Sequence, residues 1–331
     1  MRMPLPTVRA ARCRCSPVAL AFVLGALACG ERTPPLPPLD AAQYSKSREA
    51  WQARRFRGIA GPDGWITLAG LFWLDGERYT LGSDSTCDLV LPPGAGRRLG
   101  TLTIANRVVR FAAAPGAEVR HGGTRVDSIT MLSDTSGRKS TILSSGPVRL
   151  ELLDRTGRLA LRVSDSTHAL RRAFTSIDVY PVDSTVRVMA KLVPHASPRL
   201  FRTINVVGLP EDYEGMGILH FALRGHRLTL DAARQPNDTM LYLIFRDSSS
   251  DAESYPAGRF LRAPLAGPDG WTVLDFNFAY NPPCAFTSFS TCPLPPRQNV
   301  LAARIAAGEK TYTGPHDTTE RLAPPLPAAQ R

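Results

Sequence analysis

One stretch limits the fold more than any other. Asp275 to Pro296, D-F-N-F-A-Y-N-P-P-C-A-F-T-S-F-S-T-C-P-L-P-P, holds five prolines, two cysteines and five aromatic residues. Proline has no N–H to give to a ladder, so this cannot be a central strand. Each proline also drives the residue before it out of the helical region, so it cannot be a helix. What remains is an ordered loop with an apolar underside, either a stapled structural plug or part of a site.

The chain that carries this loop alternates. From Trp65 onward apolar residues recur with a period of two. Val148, Leu150 and Leu152 answer Leu159, Leu161 and Val163 across a turn at Asp154–Arg158. Within 217–231, a two-residue turn at Arg224-Gly225 sets Leu223 against His226, Phe221 against Leu228 and Leu219 against Leu230, apolar on one face. That register turns His220 to the other face, so His220 and His226 cannot share an ion. His121, His168, His195 and His316 lack zinc-like spacing, and no metal site or cofactor is expected. Met240–Phe245 is apolar on both faces and reads as a central strand. Before the strands, Asp40 can cap a helix that runs to about Arg57, with Gly58 past its end and Tyr44 and Trp51 on one face, the Trp packed on the domain. The expected fold is mostly β: one N-terminal helix and then two sandwich- or barrel-like units, with 40–172 holding the helix plus a β-sandwich and 173–312 a β domain with the Pro-rich loop.

The N-terminus reads as a targeting segment. Arg9, Arg12 and Arg14 precede an apolar run, Pro17–Ala28, too short to span a bilayer. It ends A-L-A-C-G, which resembles a bacterial lipoprotein signal; cleavage near Ala28 as an ordinary signal peptide is the other reading. The resemblance implies that residues 1–28 are removed and Cys29 is acylated. Several acyl chains then hold the protein to a membrane, and Gly30 favours the periplasmic face of the outer membrane in a bacterial envelope. Residues 29–39 are a Pro-rich tether, and 313–331, rich in Pro and Ala, a disordered tail. The full chain has a net charge of +11; without Arg2, Arg9, Arg12 and Arg14, 36 basic residues against 29 acidic leave +7. The basic residues are scattered, and pairs such as Arg54-Arg55 read as solvated surface, so no nucleic acid is expected as partner.

Two resemblances follow from particular residues. Glu77–Pro92, E-R-Y-T-L-G-S-D-S-T-C-D-L-V-L-P, is similar to the opening of forkhead-associated domains, and Val119–Val126 to their later turn. Ser83 stands where the phosphate-reading arginine would be and no Ser-Arg-x-x-His follows, so at most a fold is implied. Tyr180-Pro181-Val182-Asp183, Asp247–Leu261, Asp275–Pro296, Asn299 and Ala307–Lys310 resemble in order the bacterial domain-of-unknown-function family 1684, and the W-I-T-L-A-G-L-F-W-L at Trp65–Leu74 also fits. Phe278 departs from a usual basic residue, Ser254 from Thr and Pro256 from Gly. The family label implies no established activity.

The candidate site gathers Glu253, Tyr255 and Arg259 with Asp275, Asn277, Tyr280 and Asn281, joined by Asn299 and Glu309. One reading is a polar pocket for an unknown small molecule, with Arg259 for an anionic group, the amides for orientation, and Asp275 or Glu253 as acid or base. The other is structural: the same groups satisfy loop backbone, with Arg259 paired to an acid. An envelope lipoprotein that binds a small ligand leads, with a hydrolase using the Asp/Glu/Arg cluster and a purely structural protein as alternatives. Cys284 and Cys292, eight positions apart in an exported chain, are expected to form a disulfide.

Overall fold

The computed structural model describes residues 32–316. The leader, Cys29 and most of the expected tail lie outside the described residues. Asp40 opens α1 (Ala41–Ala60) by accepting the Gln43 N–H at 2.7 Å. The helix does not stop before Gly58; Gly61 N–H closes it on Arg57 O at 2.9 Å. Burial is the reason. Ile59 and Ala60 pack with Ile66, Phe174 and Phe286, which outweighs the ~1 kcal/mol a helical glycine costs. Among the described residues no helix is long and apolar enough to cross a membrane.

Eleven strands come next: β1 (Leu68–Trp73), β2 (Arg78–Gly82), β3 (Leu89–Val90), β4 (Gly100–Ala105), β5 (Val108–Ala113), β6 (Arg120–His121), β7 (Thr124–Arg125), β8 (Ser128–Met131), β9 (Ile142–Ser145), β10 (Val148–Arg155) and β11 (Arg158–Asp165). They form a six-stranded sheet, β1-β11-β10-β9-β6-β7, and a five-stranded one, β3-β2-β4-β5-β8, antiparallel except for β2 with β3. The two sheets sandwich one core, with Leu81, Leu102 and Phe111 from one and Leu143, Leu150 and Leu161 from the other. Leu150 pairs with Val163 and Leu152 with Leu161, while Val148 falls opposite Asp165.

After a short helix, α2 (Ala169–Ala173), the second group has seven strands: β12 (Arg187–Val193), β13 (Arg199–Ile204), β14 (Pro210–Leu223), β15 (His226–Arg234), β16 (Met240–Phe245), β17 (Arg259–Pro264) and β18 (Trp271–Asp275). One antiparallel sheet, β17-β16-β15-β14-β12-β18 with β13 on β14, curls until its ends nearly meet, where Thr272 Oγ1 donates to Pro264 O at 2.8 Å. The β14–β15 hairpin has the register its alternation predicts, Leu219 to Leu230, Phe221 to Leu228 and Leu223 to His226. Arg224 (φ 48°) and Gly225 (φ 82°) both take the left-handed conformation of a tight hairpin turn. β16 is central, and its two apolar faces meet two cores. Leu241, Leu243 and Phe245 point into the barrel, Tyr242 and Ile244 out of it. The outward face, covered by the 275–296 loop, positions the site.

Candidate functional site

The loop is held to the sheet by the polar residues singled out in the sequence. Arg259 is wholly buried: it donates to Asp247 Oδ1 at 2.9 Å, to Ile305 O at 2.9 Å and to Ala307 O at 2.5 Å. Asp247 in turn accepts the Ile305 N–H at 2.6 Å. Asn299 accepts from Asp231 N at 2.7 Å and donates to Asp231 O and Ile244 O at 2.9 Å each, bridging β15, β16 and the loop exit. Asn277 closes a two-way amide pair with the Asp183 backbone, 2.9 Å in each direction, while Asp275 accepts from Asn277 N and Tyr44 Oη. Asn281 donates to Lys310 O, and Glu309 accepts Asn281 N at 2.7 Å and both arms of Arg55 at 2.6 and 3.0 Å. Gly308 (φ 76°) makes this approach feasible, since a Cβ there would stand 2.3 Å from Ala279 O. Tyr255 Oη donates to Cys284 O at 2.9 Å. Glu253 lies apart, in a two-pronged pair with Arg304 at 2.8 and 2.6 Å that holds its carboxyl below the usual range.

Phe278 meets Tyr44 and Trp51 edge-on at 5.8 and 5.5 Å, with the Arg48 guanidinium 5.2 Å away. This position therefore faces α1.

On its other side the loop borders a cleft of about 740 Å³ between the sandwich and the outer face of the barrel-like sheet. Of the predicted residues, Tyr280 lines it. One wall is a row of rings in edge contact: Tyr213 to Tyr242 at 5.7 Å, Tyr242 to Phe260 at 5.1 Å, Phe260 to Tyr280 at 5.7 Å. The alternation of β14, β16 and β17 puts Tyr213, Tyr242 and Phe260 on one face, and the Phe260–Tyr280 bridge brings the loop ring beside them. The opposite wall comes from the β10–β11 hairpin and carries Arg155 and Arg162, with Trp65 beside them. Thr291, Cys292 and Pro293 of the loop join the two walls, and Arg55 of α1 reaches in 4.6 Å over the Tyr280 ring.

Burial sets the electrostatics of this space. It raises the phenols of Tyr213, Tyr242 and Tyr280 above their ordinary values, and Glu211, accepting from Tyr213 Oη at 2.5 Å, adds to the effect there. It lowers Arg162, and the neighbouring Arg155 lowers it further. Arg155 is paired, at 2.7 Å to Asp134 and at 3.0 Å to Thr291 Oγ1. Arg162 is not matched in this way. Its nearest carboxylate, on Glu151, is 3.8 Å off, and its buried Nε has no hydrogen-bond partner.

The expected disulfide is absent: Cys284 and Cys292 are buried thiols with no bond between their sulfurs. Cys284 N–H donates to Cys292 Sγ at 3.2 Å, and that thiol donates to Ser290 Oγ at 3.5 Å. Both sulfurs fill the apolar layer beneath Tyr242 and Phe260. Burial pushes the Cys292 thiol well above its ordinary value, and Cys284 raises it further, so little thiolate is present to start an exchange. Among the described residues, no three His, Cys, Asp or Glu side chains gather to hold a metal ion.

Sequence reasoning missed the cleft's arginines and its aromatic wall. Arg54-Arg55 reads as solvated surface, yet Arg55 turns inward to Glu309 and Tyr280. A usable signal existed in β11. Arg158 and Arg162 occupy the face opposite to core residues Leu159, Leu161 and Val163, and a strand so basic on one side calls for a partner there.

No curated protein matches. The solution NMR structure of an uncharacterized protein of Haloarcula marismortui matches with 31% identity, covering 43% of this chain and 79% of that one, at a TM-score of 0.37. A family model described as "Protein of unknown function (DUF1684)" matches residues 172–310, which span the barrel-like sheet, the loop and the Arg259 and Glu309 clamps. Residues 172–310 are thus similar to the DUF1684 family of proteins of unknown function.

Proposed function

We propose that this protein binds a small anionic molecule in the cleft beside the 275–296 loop, and that it does so as an exported lipoprotein anchored through Cys29 at the periplasmic face of a bacterial outer membrane. The observation that carries the binding reading is the cleft itself. Its volume lies within the ~300–1,000 Å³ typical of ligand sites, and it sets an aromatic wall against a wall of arginines. The anchoring reading rests on the A-L-A-C-G ending and the tether that follows.

The hydrolase reading has less support. Glu253 is engaged by Arg304, Asp275 by Tyr44 and Asn277, and Arg259 by Asp247, so that Asp/Glu/Arg cluster does not converge on open space. These clamps support a structural role for one side of the loop and leave the side facing the cleft for a ligand. The forkhead-associated likeness is carried as one of fold, without phosphopeptide recognition.

Native mass spectrometry of protein purified from its own envelope tests the binding reading. A bound small acid is expected in the wild type and absent from Gln235→Trp, which puts an indole in place of a lining amide. A ligand retained by that variant, or no cleft-dependent ligand in this search and in a thermal-shift screen of organic acids, would overturn it.

A further inference from the structure

We infer that the cleft is built for an amphipathic monoanion, with its carboxylate or sulfonate head on Arg162 beside Arg155 and Thr291 and its flat or aliphatic body along the Tyr213–Tyr242–Phe260–Tyr280 row. This rests on the binding reading above and specifies the chemistry that the same site takes.

Charge matching selects the head group. Of the three cleft arginines, Arg55 is neutralised by Glu309 and Arg155 by Asp134, each within 2.7 Å. Among the described residues, Arg162 has one carboxylate within 4 Å, that of Glu151 at 3.8 Å, which also accepts from Ser140 Oγ at 2.9 Å. An arginine fork presents donors matched to a carboxylate or similar oxyanion, and such pairs strengthen when water is excluded. The buried Nε of Arg162 is a donor still without an acceptor. A dianion fits less well. Of the remaining acids that line the cleft, Asp154 and Asp212 are paired with Arg107 and Arg202, while Glu211 accepts from the neutral Tyr213 and Asn205 side chains and would repel a second negative charge.

Shape selects the rest. Four rings in successive edge contact make a continuous apolar face, and the Trp65 ring lies 5.6 Å from the Arg162 guanidinium. A wholly polar anion would leave this face wet; an uncharged hydrophobe would leave Arg162 desolvated and unmatched.

The test uses two fluorescent probes with the same rings, 1-anilinonaphthalene-8-sulfonate and its uncharged parent N-phenyl-1-naphthylamine. Wild type should bind the sulfonate at least tenfold more tightly. Arg162→Gln should erase that preference while leaving the uncharged probe within twofold, and Arg162→Lys should restore part of it. Gln235→Trp should weaken both probes. Equal affinity of wild type for the two probes, with both weakened by Gln235→Trp, would overturn the head-group assignment and leave the cleft as a binding site. Indifference of both probes to Gln235→Trp would overturn the cleft reading itself. Should Arg162→Gln not fold, competition on wild type decides: decanoate should displace the uncharged probe at least tenfold better than decanol and better than decyl phosphate, and equal displacement by all three would refute the inference.

Discussion

Replacing Arg259 by methionine should destabilise the barrel-like half more than any exposed arginine change. The side chain is wholly buried, so no solvent is at hand to replace its bonds. Three acceptors lose their donor together: Asp247 Oδ1, Ile305 O and Ala307 O. Asp247 keeps the Ile305 and Ser249 N–H groups, at 2.6 and 3.2 Å, which partly support its charge. Breaking a buried ion pair from one side costs about 3–5 kcal/mol, because the remaining charge stays buried. For a chain of this size that is about 6–10 °C in midpoint, at roughly 2 °C per kcal/mol. The contrast is Arg304→Met, whose pair with Glu253 is exposed and should change the midpoint little. Replacing both Arg259 by methionine and Asp247 by leucine removes the stranded charge and should recover more than half of the loss. Thermal unfolding followed by circular dichroism reads all four proteins. A loss for Arg259→Met no larger than that for Arg304→Met, or a double variant no better than the single one, would refute the view that this pair pins the 305–309 segment under the sheet.

Three further outcomes are expected. Labelled palmitate should enter the wild type and not Cys29→Ser; incorporation that survives the substitution removes the lipid anchor from the proposal. Cys284 and Cys292 should resist alkylation in native protein and react fully after denaturation, with no disulfide-linked peptide in the mass spectrum; a bridged peptide from protein isolated from the envelope contradicts the unbridged thiols. Burial raises the phenols of Tyr213, Tyr242 and Tyr280, and burial with Asp275 raises that of Tyr44. A raised phenol stabilises the fold fully below the unfolded value of about 10 and loses that contribution as pH climbs through the folded value. Absorbance titration should therefore show a late tyrosine step that coincides with unfolding, and a single reversible step near the ordinary value for all eight tyrosines would contradict it.

Some of this was legible in the chain because it is local. The β14–β15 register follows from period-two patterning and a turn that tolerates positive φ, both contained within a few residues. The helix start at Asp40 is equally local, whereas its end is not. Gly58 signals a stop, but contacts of Ile59 and Ala60 with Phe174 and Phe286, far along the chain, carry the helix through it. The site divides in the same way. Asn and Asp in a proline-rich loop were recognisable as special, yet a binding amide and a clamping amide look alike in sequence. Which one Asn299 is depends on where Asp231 and Ile244 stop in space. Arg162 was hidden for the opposite reason: the Arg158 and Arg162 face of β11 looks solvated until a second sheet covers part of it.

The covering is where the two halves of the chain become interdependent. The DUF1684 segment supplies the aromatic wall and the loop, but the arginines opposite belong to residues 155 and 162, before the matched region, and Arg55 comes from α1. Arg155 spans the gap by holding Asp134 on the sandwich and Thr291 on the loop. Arg55 does the same from the helix side, joining Glu309 and Asn281 O to the Tyr280 ring. The barrel-like half alone would hold an apolar face and a loop, with none of these three cations. It follows that the arginines of the cleft come from the region preceding residue 172, while its apolar lining comes largely from after it. A chain that kept the later region and changed the earlier one would set the same aromatic wall against different side chains.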